Sequence, residues 1–125
     1  MTNWFVLSAG ILAGMTALIH VIAGGKDVAR PLLASAFDEV VKLTLYACWH
    51  LVSVALFLSS IALLGNGAGF YDSPEMVAFV SIMWLMFGAV FLVVTLGIAK
   101  PRGLLRFPQW ALLVPVGLLG LWGLA

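Results

Sequence analysis

Charge is the scarcest property of this chain. Only 9% of its 125 residues are Asp, Glu, Lys or Arg, against roughly 25% in a soluble domain. With 64% hydrophobic residues and a mean hydropathy of +1.18, it lacks the polar surface that would cover a core in water. A net charge of +1 offers no basic field, so nucleic acid is not an expected partner. The single cysteine, Cys48, excludes an intramolecular disulfide and any multi-cysteine metal site. Catalytic signatures are missing too. No HExxH, phosphate-binding glycine loop or nucleophile–base motif occurs, so a non-enzymatic protein is expected. The N-terminus carries no positive n-region and has Thr2 where myristoylation needs glycine; its apolar run reads as a retained helix rather than a cleaved signal.

What the chain does have is apolar runs of membrane-crossing length. Runs of about 20 residues span the hydrocarbon core as helices. The sequence divides into spans over residues 4–23, 39–64, 75–99 and 108–124, which make a single domain, residues 1–125, of all-α class: a polytopic, four-helix transmembrane bundle in a lipid bilayer. Gly24-Gly25 closes the first span, and Pro31 holds Arg30 extended, so a break is expected there. Asp38 is a suitable N-cap for the second span, with Glu39 in its first turn. Ser73-Pro74-Glu75 reads as a helix start for the third. Pro108 opens the fourth, where Pro115 should produce a kink. Gly117, Gly120 and Gly123 give that helix a close-approach surface, for internal packing or for a contact between copies.

All six Lys and Arg residues lie in or beside the first and third connections: Lys26, Arg30, Lys42, Lys100, Arg102 and Arg106. The positive-inside rule places these connections in the cytoplasm and both termini outside. Trp4 and Trp122 then mark the outer interface and Trp110 the inner one, with Trp49 and Trp84 deeper in the bundle.

Against this apolar background, Tyr46-Ala47-Cys48-Trp49-His50 stands out, because titratable groups at membrane depth are costly and default to a functional reading. On the first helix, Ala9, Ala13, Thr16, Ala17, His20 and Gly24 share one arc at about 100° per residue. On the second, Glu39, Tyr46, Ser53 and Phe57 lie within about 60° of His50, flanked by Lys42 and Ser60. Both stripes are expected to face inward, which predicts a His20–His50 contact. His20, His50, Trp49, Tyr46, Ser53 and Thr16 are the candidate ligand-binding residues, and His20 and His50 the candidate metal ligands. Two imidazoles on facing helices can ligate a transition metal or flank a haem iron, relay protons, or lock two helices together as satisfied polar groups. No cofactor is specified. Tyr46 and Trp49 crowd a haem, and the methionines point only faintly to copper, being common gap-fillers. Cys48 faces about 160° from His50 and is expected to be an inert buried thiol. Glu39 is expected to pair with Lys42. The alternative function is a homo-oligomeric transporter or channel using the histidines as a proton or solute relay. That reading lacks an intramembrane carboxylate: Asp27, Asp38, Glu39, Asp72 and Glu75 all fall in connections or at helix ends.

His20-x-x-x-Gly24, Arg30-Pro31-Leu32-Leu33 and Cys48-Trp49-His50-Leu51-Val52-Ser53-Val54 together resemble an uncharacterised bacterial family of small four-span membrane proteins. That family shows a histidine followed by a glycine, a Pro-Leu-Leu element and a Trp-His-Leu segment opening helix two. The likeness covers roughly residues 17–57, and the second half is similar only in hydropathy. The chain departs at Gly25, where an acidic residue would stand. The resemblance implies a location, the bacterial cytoplasmic (inner) membrane, and no activity.

The orientation is testable by cysteine labelling in a Cys48→Ser background. A membrane-impermeant maleimide should label Ser73→Cys in intact cells and leave Gly103→Cys unlabelled until the membrane is opened; the reverse pattern inverts the topology.

Overall fold

A computed structural model of the protein describes residues 1–99, 104 and 108–125. The expectations placed on Lys100, Arg102 and Arg106 lie outside the described residues. Every regular element among the described residues is a helix. The first, α1 (Trp4–Ile19), is capped by Asn3, whose Oδ1 accepts the Val6 N–H at 3.2 Å. It runs without interruption into π-helical turns over His20–Ala29 and then into α2 (Arg30–Leu33). The sequence predicted closure at Gly24-Gly25 and a break at Pro31. Neither occurs: Arg30 is helical at φ −64 and ψ −48, and the continuous helix spans Trp4–Leu33. The physical reason lies in the wider turns. Proline breaks an α-helix because its ring meets the carbonyl four residues back. In the π stretch the carbonyls reach five residues on, as when the Arg30 N–H donates to the Gly25 carbonyl, so Pro31 enters a ladder already out of α register.

Helix α3 (Glu39–Gly67) starts as the sequence predicts, with the Asp38 Oδ1 accepting the Val40 N–H at 2.9 Å. It extends past the expected end at Leu64. Helix α4 (Pro74–Val94) follows the Ser73-Pro74 start and continues as π-helical turns over Thr95–Ala99. Helix α5 (Trp110–Trp122) carries Pro115 in its interior. Among the described residues, three helices are long and apolar enough to cross a membrane: Trp4–Leu33, Glu39–Gly67 and Pro74–Gly97. With 13 residues, α5 is about 20 Å long, shorter than the fourth span expected over residues 108–124.

Helix α1 packs most extensively on α3 and α5 on α4, and α1 also touches α5. The α1–α3 contact is made by small residues. Ala9, Gly10, Ala13, Thr16 and Ala17 are buried on α1, and Ser53, Leu56, Ser59, Ser60, Leu63, Asn66 and Gly67 on α3. The approach is close enough to exclude a methyl group. A Cβ on Gly10 would stand 2.7 Å from the Leu64 backbone nitrogen, and one on Gly67 would collide with the Leu7 backbone. Hydrogen bonds cross the same seam: the buried Ser60 hydroxyl donates to the Gly10 carbonyl at 3.0 Å, and the Asn3 N–H donates to the Gly67 carbonyl at 2.9 Å. The Asn3 amide also donates to the Gly123 carbonyl at 2.7 Å, so one residue ties the ends of three helices. On α5 the glycine face is used internally: Gly117 and Gly120 close against Ser81 of α4, and Gly123 against Val6. Trp84 is fully buried and its indole N–H donates to Ser59 of α3 at 3.0 Å. Outward, large apolar side chains such as Ile22, Leu51, Leu58, Ile61, Phe79 and Val93 stand exposed. A soluble monomer rarely shows so much apolar surface, whereas lipid suits it.

Gly10→Ala and Gly67→Ala should each lower stability in detergent by about 1–3 kcal/mol, the usual cost of overpacking. Gly24→Ala, whose Cβ would meet only the Trp49 ring at 3.8 Å, should leave it unchanged. Thermal or SDS unfolding followed by circular dichroism reads the difference.

Candidate functional site

The α1–α3 seam determines which side chains of the Tyr46–His50 segment meet the first helix. Buried positions on α3 recur at Ser53, Leu56, Ser60, Leu63 and Gly67. Extending that three–four spacing backwards reaches Trp49 and Tyr46. His50 sits about 100° away from this face and is exposed. The expectation that His50 faces inward is therefore corrected. Ionisable groups do not choose the packed face of α3; small and neutral side chains that permit close approach do. Glu39, on the His50 side, is exposed as well, and no salt bridge joins it to Lys42 among the described residues.

The residue that meets His20 is Trp49. Their rings stack with centroids 4.7 Å apart and planes inclined by 22°. His20 Nε2 also lies 3.4 Å from the Trp49 backbone carbonyl, a long contact in which the carbonyl accepts when the ring carries its proton on Nε2. That carbonyl accepts a second bond from the Ser53 hydroxyl at 3.2 Å. Trp49 in turn touches His50 edge-on at 4.9 Å and lies nearly parallel to Tyr46 at 6.3 Å. Tyr46 meets His50 edge-on at 4.5 Å. The structure thus brings His20, Tyr46, Trp49, His50 and Ser53 into one cluster, but with Trp49 at its centre. Each histidine contacts Trp49, and among the described residues no hydrogen bond or ring contact joins the two histidines. Thr16 is not part of it. Its hydroxyl donates within its own helix to the Leu12 carbonyl at 2.8 Å.

Metal ligation would rest on His20 and His50 alone. Among the described residues no group of three or more His, Cys, Asp and Glu side chains comes together. Cys48, expected to be buried, is exposed: it sits on the far side of α3 from His50, and neither residue belongs to the packed seam. The thiol therefore stands apart from the cluster, as its angular position indicated.

Beside the cluster is a cleft of about 370 Å³ between the π-helical stretch and α3, with Val21, Ile22, Lys26, Arg30, Tyr46 and Trp49 among its lining residues. The Trp49 indole passes Gly24 and the cleft-lining Gly25 at 3.8 and 3.9 Å from where their Cβ atoms would be, an ordinary van der Waals separation. Lys26 and Arg30 were read in the sequence only as topology signals. Their position beside the aromatic pair was hidden, because the expected closure at Gly24-Gly25 separated both from the helix that carries His20. The proline-tolerant π stretch is what joins them.

Comparison with known protein families, curated proteins and solved structures returns no match to this chain. The site therefore rests on its own geometry.

His20→Ala removes a ring stack worth about 0.5–1.5 kcal/mol and a membrane hydrogen bond worth roughly 0.6 kcal/mol. It should lower unfolding stability by about 1–2 kcal/mol. His50→Ala, at an exposed position, should cost under about 0.5 kcal/mol. Equal losses for the two variants would restore the symmetric histidine pair.

Proposed function

We propose that this chain is a small integral protein of a bacterial cytoplasmic membrane, a four-span bundle with connections one and three inside and both termini outside. It works without catalysis. The His20–Trp49 contact locks the cytoplasmic ends of the first two spans and forms one wall of a cleft for a small ligand. The observation that carries this reading is that contact itself. A histidine at membrane depth is stacked and hydrogen-bonded on Trp49, which with Tyr46 also borders the cleft. The resemblance to small four-span bacterial membrane proteins supports the location. For the fourth span, α5 at 13 residues requires its flanking residues or local thinning of the bilayer to complete the crossing.

A metal held by His20 and His50 is the competing use of the same residues. Metal content and the visible spectrum of the purified protein separate the two. Colourless, metal-free protein whose unfolding temperature is unchanged by a chelator supports the lock; stoichiometric metal, with stability lost on chelation, replaces it with a ligand pair.

A homo-oligomeric transporter draws on one specific observation: His50 is exposed on α3, where a second copy would enclose it. In a Cys48→Ser background, His50→Cys should then cross-link to a dimer with a short bis-maleimide in membranes, and proton-dependent flux into vesicles should disappear in His50→Ala. Monomer only, with no flux in the wild type, removes that reading.

A further inference from the structure

The cleft beside Trp49 has a composition that selects its occupant. One edge carries two cations, Lys26 and Arg30, four residues apart on the first helix and both exposed. The facing wall is the Tyr46–Trp49 pair on α3, whose rings lie within 4° of parallel. The edge toward the membrane is apolar, with Ile22 71% exposed and Val21 38% exposed. Among the described residues no salt bridge neutralises either cation. Cations, amphipathic rings and an open apolar flank in that order match the cross-section of a phospholipid at the headgroup boundary. Arginine presents a planar fork to phosphate, and lysine adds a point charge. Tyr and Trp rings pack against the glycerol and upper acyl region while their polar edges stay at the interface. A free anion would use the cations alone and leave the aromatic and aliphatic surfaces bare.

We propose that this cleft binds one anionic phospholipid, its phosphate held by Lys26 and Arg30 and its first acyl segments laid between Ile22 and the Tyr46–Trp49 wall. The binding bridges the first helix and α3 beside the His20–Trp49 contact, so the lipid and the histidine stack reinforce the same pair of helices. The assignment rests on the membrane reading given above and adds the class of ligand to it.

The test uses the full chain reconstituted in phosphatidylcholine vesicles containing a minor fraction of phosphatidylglycerol, with brominated acyl chains on one lipid or the other. Trp49 emission is taken as the difference between the wild type and Trp49→Phe. At equal mole fraction of brominated lipid, the anionic species should quench Trp49 with an apparent preference on the order of tenfold, the size expected from two cations at a charged interface. Lys26→Gln with Arg30→Gln, both at exposed positions, should bring that preference near one while leaving circular dichroism and vesicle flotation unchanged. Excess inorganic phosphate should not relieve the quenching. Equal quenching by both lipids in the wild type overturns the site, as does a preference that survives the double substitution. Relief by inorganic phosphate shows a free-anion site and overturns the lipid assignment. Failure of the wild type to float with pure phosphatidylcholine vesicles is a separate outcome; it overturns the membrane reading and the site with it.

Discussion

Inside a bilayer, lipid tails surround a leucine as well as another protein does, so apolar burial gives helices little reason to associate. What remains is close contact and hydrogen bonding. In this chain both are concentrated where α1 meets α3. Gly10 and Gly67 bring the two backbones to a separation that a single added methyl would violate. The gap this closes is just wide enough for the Ser60 hydroxyl to reach the Gly10 carbonyl. The remaining packing follows from that seam. Trp84 of α4 is seated by Ser59, which lies on the flank of α3 that the seam leaves available. Asn3 then gathers the adjacent helix ends through the Gly67 and Gly123 carbonyls.

The seam also decides the chemistry. A helix face fixed by glycine, alanine and serine leaves no freedom for the ionisable groups to choose their own direction. On α3 it turns Trp49 toward the first helix and His50 away. His20 answers with a stack and a long hydrogen bond to the same tryptophan, so the polar group at membrane depth is satisfied by a backbone carbonyl rather than by a second titratable side chain. That arrangement suits a lock better than a proton relay, which needs two exchanging groups in contact. The π-helical turns below it carry Lys26 and Arg30 onto the same side as the indole, and π turns often accompany functional positions.

Much of this was legible in the sequence. Apolar run lengths predicted the all-helical class, and Asp38 and Ser73-Pro74 gave two helix starts to the residue. The small-residue arc of the first helix correctly identified its packed face, and the angular period separated Cys48 from the histidines. Three features were not legible, each for a physical reason. Pro31 signals a break under α-helical rules, and nothing local announces that ten π-helical residues will carry the helix past it. On α3 the ionisable stripe and the small-residue stripe differ by about one residue step, and weighting the costly groups picked the wrong one. Asn3 reads as a simple N-cap, because its bonds to Gly67 and Gly123 span most of the chain and exist only once three helix ends converge.

The α1–α3 seam is therefore the claim on which the placement of Trp49, the cleft and the proposed lipid all depend. Disulfide trapping tests it most directly. A Cβ on Gly14 would lie 3.0 Å from the Ser60 Oγ, so Gly14→Cys with Ser60→Cys, in a Cys48→Ser background, places two thiols within bonding reach across the seam. Mild oxidation in native membranes should convert the chain to an intramolecularly bridged monomer, seen as a reducible shift in gel mobility. Free thiols after oxidation, or bridges formed only between separate chains, would contradict the account.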